Sequence, residues 1–499
     1  MTISRRRSTA LRALAFGIAC VLSLGSCAIF KPQRIAITTQ ATETLPPQPL
    51  GAPTALPGGT GAKTVFIPGT EGRAGNTGCL GINDPEHGIA NGVIKLGTIQ
   101  PMDGPAAQLG RPLYRTTQAY VNMLNARGGI NGCRVQLFLQ TACINCEPEN
   151  KLAAKALVEQ KHVFAIVNTY MNTYAFGAAM RYLNDHNVPL VQGWTGVGSE
   201  DETWLAKQTP WSVYYTIRNE DAVHVYARWL STVLDQWAAH GHIPSDAAAH
   251  PKWVATVALD VPQDRKRSAE FKTVWESMGS GYRVVKQQFV AAQEEAVTRM
   301  DSEINGMHDA HAAGVFSASN ITMVFGMQAA ARQQWKVPWV SKSAWGRAAT
   351  DNCGSACDGG FTDNNGWGWC QPCADGSGSA TPQMQQYIAA MQRYYPDGAR
   401  YADAQTLGGW IGMMAFEYAA SRLGSSLNRP GLIRVLGHLD DFETGIGAPI
   451  STSDADHLGM GQTMMLQICH NRFWRATGWL SASGPMQHVS HPGDCDWGW

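Results

Sequence analysis

Val93-Ile94-Lys95-Leu96-Gly97-Thr98-Ile99 leads, across Gln100-Pro101-Met102-Asp103-Gly104-Pro105, into Arg111 to Arg127 and then into Gly128-Gly129-Ile130-Asn131-Gly132. The first stretch is short and apolar, as a buried strand is. In the second, Leu113, Thr117, Tyr120, Val121 and Leu124 recur at the spacing of one helical face. Gly128-Gly129 stops that helix and Asn131-Gly132 turns the chain. Val135, Leu137 and Leu139 then alternate as a second strand.

The same rhythm runs on downstream. The pattern predicts a helix over 150–160, a strand over 163–167, a helix over 173–184 and a strand over 188–191. It restarts after Tyr215, with helices over 221–237, 264–278, 293–306 and 321–334 alternating with strands over 253–259, 283–289, 314–317 and 337–340. Repeated βα units of this length predict an α/β protein of two doubly wound parallel-sheet lobes. In such sheets ligands sit beyond the carboxyl ends of the strands, where helix N-termini point N–H groups outward.

The segment Ile94 to Pro105 resembles the opening of the type I periplasmic binding proteins, specifically the branched-chain amino-acid (Leu/Ile/Val-binding) family of ABC transporter substrate-binding proteins. Asn125-Ala126-Arg127-Gly128-Gly129-Ile130-Asn131-Gly132 is similar to a segment that family carries at the same distance from its first strand. The similarity extends to about Trp479, through Gly447-Ala448-Pro449-Ile450 and a hairpin over Met464–Trp479. It implies two lobes joined by three crossovers, expected near 215, 343 and 446, that close on a small molecule by a hinge movement. The expected division is 63–215 plus 344–446 for the first lobe, 216–343 plus 447–480 for the second, and a tail over 481–499. By analogy it also implies an ABC permease as partner.

Composition limits the alternatives. A chain of 499 residues suits two or three domains, and 44% hydrophobic residues suffice for a substantial core. Lys plus Arg and Asp plus Glu balance at 39 each, with no basic stripe, which argues against nucleic acid as a partner. Arg5-Arg6-Arg7, an apolar run from about Leu11 to Leu24, and Leu24-Gly25-Ser26-Cys27 read as a removable export signal. Its ending resembles the lipobox of bacterial lipoproteins, which implies diacylation of Cys27 and an extracytoplasmic protein held to the membrane by lipid, on its periplasmic or cell-surface side. The alternative is a plain secretory signal or a short anchor. Residues 28 to about 62, rich in Pro, Thr, Gly and Ala, read as a flexible tether.

Apart from Cys20 and Cys27, ten cysteines remain: Cys79, Cys133, Cys143, Cys146, Cys353, Cys357, Cys370, Cys373, Cys469 and Cys495. An even number in an exported chain reads as disulfides, with connectivity left open. An insertion over 351–380 gathers four of them with Trp367, Trp369 and many glycines. Two disulfides stapling a loop are one reading and a tetrahedral zinc site the other.

The resemblance places candidate ligand contacts in strand-end loops. Asp103 lies in the first. Tyr170, Asn172 and Thr173 lie in the loop where the family holds its ligand's carboxylate, and capping of the following helix is the alternative role for Asn172 or Thr173. Trp194 and Thr195 follow in the next loop, with Trp194 either an aromatic wall or a core side chain. In the second lobe the candidates are Gln263, Ser319, Ser343 and Trp345. Amino-acid binders commonly place Asp or Glu where this chain has Ser343, to pair the ligand's ammonium. Burying an ammonium without a carboxylate is costly, so the expected ligand lacks one: a carboxylate, amide, alcohol or small aromatic compound. Lys342 suits an anion, or is an exposed lysine beside a hinge.

No Gly-x-Ser-x-Gly, His-Glu-x-x-His or dinucleotide fingerprint is present, and no acid/base pair is recognisable. No catalytic residue, cofactor or resident metal is expected. The reading is a solute-capturing receptor for an importer. A ligand sensor for a membrane receptor, and a Cys-rich metal or redox protein, stand as alternatives.

Overall fold

The computed structural model describes residues 66, 68, 77–104, 107–143, 146–170, 173–193, 211–291, 293–342, 352–369, 380–396 and 404–489. The expectations for Cys27, the tether, Asn172, Trp194, Thr195, Ser343, Trp345, Cys370, Cys373 and Cys495 lie outside these residues.

The stretch that opens the alternation forms β2 (Val93–Gln100), α1 (Ala107–Ala126) and β3 (Arg134–Thr141). The helical face expected from spacing is buried: Leu113, Thr117 and Tyr120 are wholly covered, and Val121 and Leu124 nearly so. The helix starts four residues before the expected Arg111 and carries Pro112 inside. The turn between α1 and β3 needs its small residues. Gly128, Gly129, Asn131 and Gly132 all have positive φ, and a Cβ on Gly129 would fall 1.9 Å from the Cys133 carbonyl oxygen.

In the first sheet β3, β2, β4 (Ala165–Val167), β5 (Leu190–Gln192) and β6 (Ser212–Tyr214) run parallel, with β1 (Ile89–Ala90) antiparallel to the start of β2. Strands β4, β5 and β6 are buried throughout, which is why they read as continuous short runs. Helices α2 (Glu147–Lys155) and α3 (Thr173–Asp185) complete the βα units. The second sheet has the order β16-β15-β12-β11-β10-β8-β9. Five of these are parallel: β8 (Trp253–Leu259), β9 (Arg283–Val290), β10 (Gly314–Ser317), β11 (Trp339–Ser341) and β12 (Phe361–Asp363). An antiparallel hairpin, β15 (Met465–Cys469) and β16 (Arg472–Arg475), closes its edge. Helices α4 (Asn219–Ala239), α5 (Pro262–Ser277), α6 (Gln293–His308) and α7 (Asn320–Arg332) alternate with its strands. Helices α8 (Pro382–Tyr394), α9 (Ala404–Leu423) and α10 (Arg429–Leu436) contribute to the first lobe's core beside Leu96, Tyr120 and Val167.

Two crossovers fall later than expected. The first runs from β6 through β7 (Thr216–Ile217) into α4, near the expected 215. The second was expected near 343, yet β12 still belongs to the second sheet, and only with Trp367 does the chain reach the first lobe's core. Three residues of strand inside a Gly- and Cys-rich stretch carry no periodicity to announce it. The third was expected near 446, but Ile446, Ala448, Ile450 and Met460 all pack in the first lobe. The chain changes lobes between β13 (Gly459–Met460), which pairs with β7, and β15. The supposed tail also begins later than 480. β17 (Leu480–Ser481) pairs with β14 (Gln462–Thr463), and the Val489 N–H donates to the Ala476 carbonyl at 2.7 Å.

The three crossing segments are bonded to one another. Ile217 N–H and Thr216 Oγ1 both donate to the Asn365 carbonyl, at 3.2 and 3.1 Å. Trp367 Nε1 donates to the Tyr215 carbonyl at 3.0 Å. Thr216 N–H donates to the Leu458 carbonyl at 3.3 Å. Thr463 Oγ1 accepts from Gly366 N–H at 3.1 Å and donates to the wholly buried carboxylate of Asp363 at 3.3 Å.

Cysteines pair as Cys79–Cys133, Cys143–Cys146 and Cys353–Cys357, and Cys469 is also disulfide-bonded. The Cys353–Cys357 bond consumes two of the four thiols that a zinc site in the insertion would need. These two residues pack with Met327, Trp339 and Leu466 in the second lobe, not the first.

Candidate functional site

At the carboxyl edge of the first sheet, apolar strands end in polar residues that bond to one another and to neighbouring backbone. Gln100, the last residue of β2, donates through Nε2 to Thr98 Oγ1 at 2.8 Å and to the Asn168 carbonyl at 2.5 Å. Gln192, the last residue of β5, brackets Thr169: its Oε1 accepts from Thr169 N–H at 2.7 Å and its Nε2 donates to the Thr169 carbonyl at 3.3 Å. Ile99 N–H donates to Thr169 Oγ1 at 3.2 Å. Gln100, Asn168, Thr169 and Gln192 are all wholly buried, where an unpaired amide would cost heavily.

Asn168 joins this edge to the helices. Its φ of 46° lies in the left-handed region that Asn tolerates better than most residues. Its side chain donates to Thr117 Oγ1 at 3.1 Å and to the Gly409 carbonyl at 2.7 Å, and accepts from Gly193 N–H at 3.2 Å. One amide therefore fixes where the chain leaves the sheet at two places, after β4 and at Gly193 following β5. Helix α9 passes so near that a Cβ on Gly193 would lie 2.0 Å from the Gly408 carbonyl oxygen.

Three first-lobe candidates lie at this edge. Asp103 is exposed in a bend before α1, beside Gly104 with its positive φ. Thr173 is the first residue of α3. Tyr170 is 3% exposed and its ring packs within the first lobe's core, where burial raises the phenol's pKa and keeps it neutral.

At the carboxyl edge of the second sheet, Gln263 is the second residue of α5 and largely buried. Ser319 caps α7, its hydroxyl accepting from Thr322 N–H, so its side chain is engaged as a cap. Lys342, following β11, is 7% exposed, so the reading of a solvated lysine beside a hinge is corrected: an interior strand ends there and takes the lysine inward. Sequence reasoning missed the polar cluster beside these residues. Arg267 donates to Asp264 at 3.0 Å, to the Ala318 carbonyl at 2.7 Å and to Asn219 Oδ1 at 2.7 Å, with both members of the ion pair buried. The Asn219 amide in turn donates to Glu270. Burial raises the Glu270 carboxyl above its usual range; Lys266 opposes this, Glu220 adds to it and Arg267 opposes it. Asp264, Arg267 and Glu270, three residues apart along an otherwise polar helix, are a weak signal, and so is a glutamine ending an apolar strand.

Among the described residues, the one cluster with metal-ligand spacing is Cys143, Cys146 and Glu149, and its two cysteines are joined as a disulfide. A cavity of about 360 Å³ lies elsewhere, lined by Met327, Trp335, Lys336 and Trp339 near the start of β11, the opposite end of that strand from Lys342. No described helix is long and apolar enough to cross a membrane.

Two doubly wound sheets joined by three crossing segments, with helix N-termini and polar brackets at the carboxyl edges, define a two-lobed binding fold of the type I periplasmic class. The chain belongs to the periplasmic binding protein family, whose model matches residues 93–471. Solved structures share the fold. A branched chain amino acid ABC transporter protein from Thermus thermophilus with bound valine is 15% identical, with a TM-score of 0.60, over 78% of this chain and 97% of its own. An extracellular ligand-binding receptor from Verminephrobacter eiseniae is 17% identical, with a TM-score of 0.59, over 76% of this chain and 99% of its own. The branched-chain amino acid transporter substrate binding protein from Streptococcus pneumoniae, in complex with isoleucine, is 15% identical, with a TM-score of 0.59, over 76% and 97%. No curated protein matches the sequence.

Proposed function

We propose that this protein is an extracytoplasmic solute-binding lipoprotein, diacylated at Cys27, that takes up a small polar or aromatic molecule between its lobes and delivers it to an ABC importer. Relatives of the same fold carry valine or isoleucine, which have an α-ammonium to be neutralised. The observation that carries a different ligand class here is the charge at the carboxyl edge of the second sheet. The buried charged residues described there are Asp264, Arg267, Lys342 and Asp363, the last residue of β12, whose carboxylate accepts from Asn365 N–H and from Thr463 Oγ1. Asp264 is already paired with Arg267, and Lys342 stands directly before the position where an amino-acid binder's acid is expected. With both described carboxylates bonded to protein groups, that arrangement suits a carboxylate or a neutral polar group. The start of α3 in the first lobe adds N–H donors for an anion. Asp103, Asn172, Thr173, Trp194, Thr195, Gln263, Ser343 and Trp345 complete the proposed lining.

The test is thermal unfolding against a panel of carboxylates, amides and aromatic acids set beside leucine, isoleucine and valine. A compound without an ammonium should raise Tm, by about 2.7 kcal/mol of stabilisation at a hundred-fold excess over its Kd. Strong, selective stabilisation by leucine or valine would sink the ligand assignment. Mass spectrometry of the membrane-extracted protein should find a lipid on Cys27 as the first residue, and an unmodified N-terminus removes the anchor from the reading.

A further inference from the structure

Among the described disulfides, Cys143–Cys146 stands apart in burial and in its place at a helix start. Cys79, Cys133, Cys357 and Cys469 are wholly buried and Cys353 is 5% exposed, whereas Cys143 and Cys146 both remain partly exposed. The bond spans only three residues, close to the four of the buried Cys353–Cys357 and far from the 54 of Cys79–Cys133. A cross-link restrains the unfolded chain less as its loop shortens, so this one adds less stability. It is partly reachable from solvent, which the buried pairs are not.

Its surroundings favour thiol chemistry. Cys146 is the N-cap of α2, with no side-chain cap bond, so a thiolate there meets the positive end of the helix dipole, although Pro148 removes one N–H from the first turn. Two carboxylates stand near. Glu147 is occupied, accepting from Ala178 N–H at 3.0 Å with Arg181 at 3.7 Å. Glu149 accepts from Cys143 N–H at 3.3 Å. The Asn150 side chain donates to both the Cys143 and Cys146 carbonyls, at 3.1 and 3.0 Å, so the two ends stay together when the bond opens.

We propose that Cys143–Cys146 is a thiol–disulfide exchange site for a dithiol partner, and that its reduction loosens the pair of helices α2 and α3. A thiolate of the partner attacks Cys143 Sγ, forming a mixed disulfide and releasing Cys146 as the thiolate at the helix cap. The partner's second thiol then attacks the mixed disulfide and leaves as part of the partner's own disulfide. Cys143 and Cys146 end as two thiols, having taken two electrons and two protons from the partner. The consequence reaches α3 through Glu147, which follows Cys146 in the chain and bonds Ala178 within α3. This goes beyond solute capture and does not depend on which ligand is bound.

The test uses the full-length oxidised protein, graded dithiothreitol, thiol alkylation and peptide mass spectrometry. At the lowest reductant concentration that labels any described cysteine, Cys143 and Cys146 should be labelled while Cys79, Cys133, Cys353, Cys357 and Cys469 are not. Labelling of Cys353 and Cys357 at the same or a lower concentration overturns the site. Hydrogen exchange is then compared between the oxidised and selectively reduced forms. Amides of residues 147–160 and 173–185 should exchange faster on reduction, while those of β8, β10 and β11 keep their rates. Unchanged exchange in α3 overturns the coupling. The double variant Cys143→Ser/Cys146→Ser should reproduce the reduced pattern without reductant, and an oxidised-like pattern in it counts against the proposal.

Discussion

Asn168 and Gly412 meet so closely that no side chain fits between them: a Cβ on Gly412 would lie 2.3 Å from Asn168 Oδ1 and 2.6 Å from the Gly193 nitrogen. Helix α9 thereby holds the residue that anchors the ends of β4 and β5 at the candidate site. The first prediction follows. Gly412→Ala should destabilise the protein by about 1–3 kcal/mol, the usual cost of overpacking a filled core. Because the displaced neighbour is Asn168, binding of any ligand found by thermal shift should weaken as well. Urea unfolding together with calorimetric titration separates the two effects, and an unchanged unfolding midpoint contradicts the contact.

The crossing segments give a second prediction. Thr463→Val keeps the shape of the side chain and removes the oxygen that serves both Gly366 N–H and Asp363. A buried donor left unmet costs about 1–3 kcal/mol. Trp367→Phe, which strands the Tyr215 carbonyl instead, should cost about 1 kcal/mol. Denaturation midpoints check both, and a Thr463→Ser variant should restore most of the loss.

The buried ion pair of α5 yields a third. Removing one partner leaves the other charge buried, so Arg267→Met should cost about 3–5 kcal/mol. The double variant Arg267→Met/Asp264→Leu should be less damaged than the sum of the single ones, since no uncompensated charge remains. Strict additivity in this cycle would show that the pair does not act as a unit.

A fourth concerns pH. The Glu270 carboxyl is raised in the folded state, first by burial, so its ionised form is disfavoured there. Folding then takes up a proton over this range, and this group contributes more stability as pH falls through its folded value. Glu270→Gln keeps an acceptor for the Asn219 amide and removes the charge. It should raise Tm at pH 7, with the advantage shrinking toward about pH 4, where the wild-type carboxyl is itself neutral. An advantage that grows on acidification contradicts the assigned direction.

Much of the architecture was legible because it is local. Strands 253–259 and 314–317 emerge at their expected bounds, since continuous apolar runs flanked by breaks leave one solution. β12 was not legible: three residues between glycines carry no period, and their place beside β11 is set by the packing of Phe361 against Trp229. The candidate site divides in the same way. Loop positions followed from strand ends, but the bracket of Gln192 on Thr169 and the reach of Asn168 to Gly409 link residues 23 and 241 apart in the chain. Burial of Tyr170 and Lys342 has the same origin: a lysine by itself points to solvent and a tyrosine to either side, and only the packing around the strand ends takes both inward.

The bonding among the three crossing segments sets what kind of motion the molecule can make. Three separate ribbons would let the lobes slide, tilt and swivel independently. Ribbons joined edge to edge, as Thr216 to Asn365, Trp367 to Tyr215 and Gly366 to Thr463 are here, behave as a leaf spring. Sliding one ribbon along another breaks every bond between them, whereas bending all three together breaks none. The molecule is left with a single soft degree of freedom, so any partner that senses its state has only one coordinate to read.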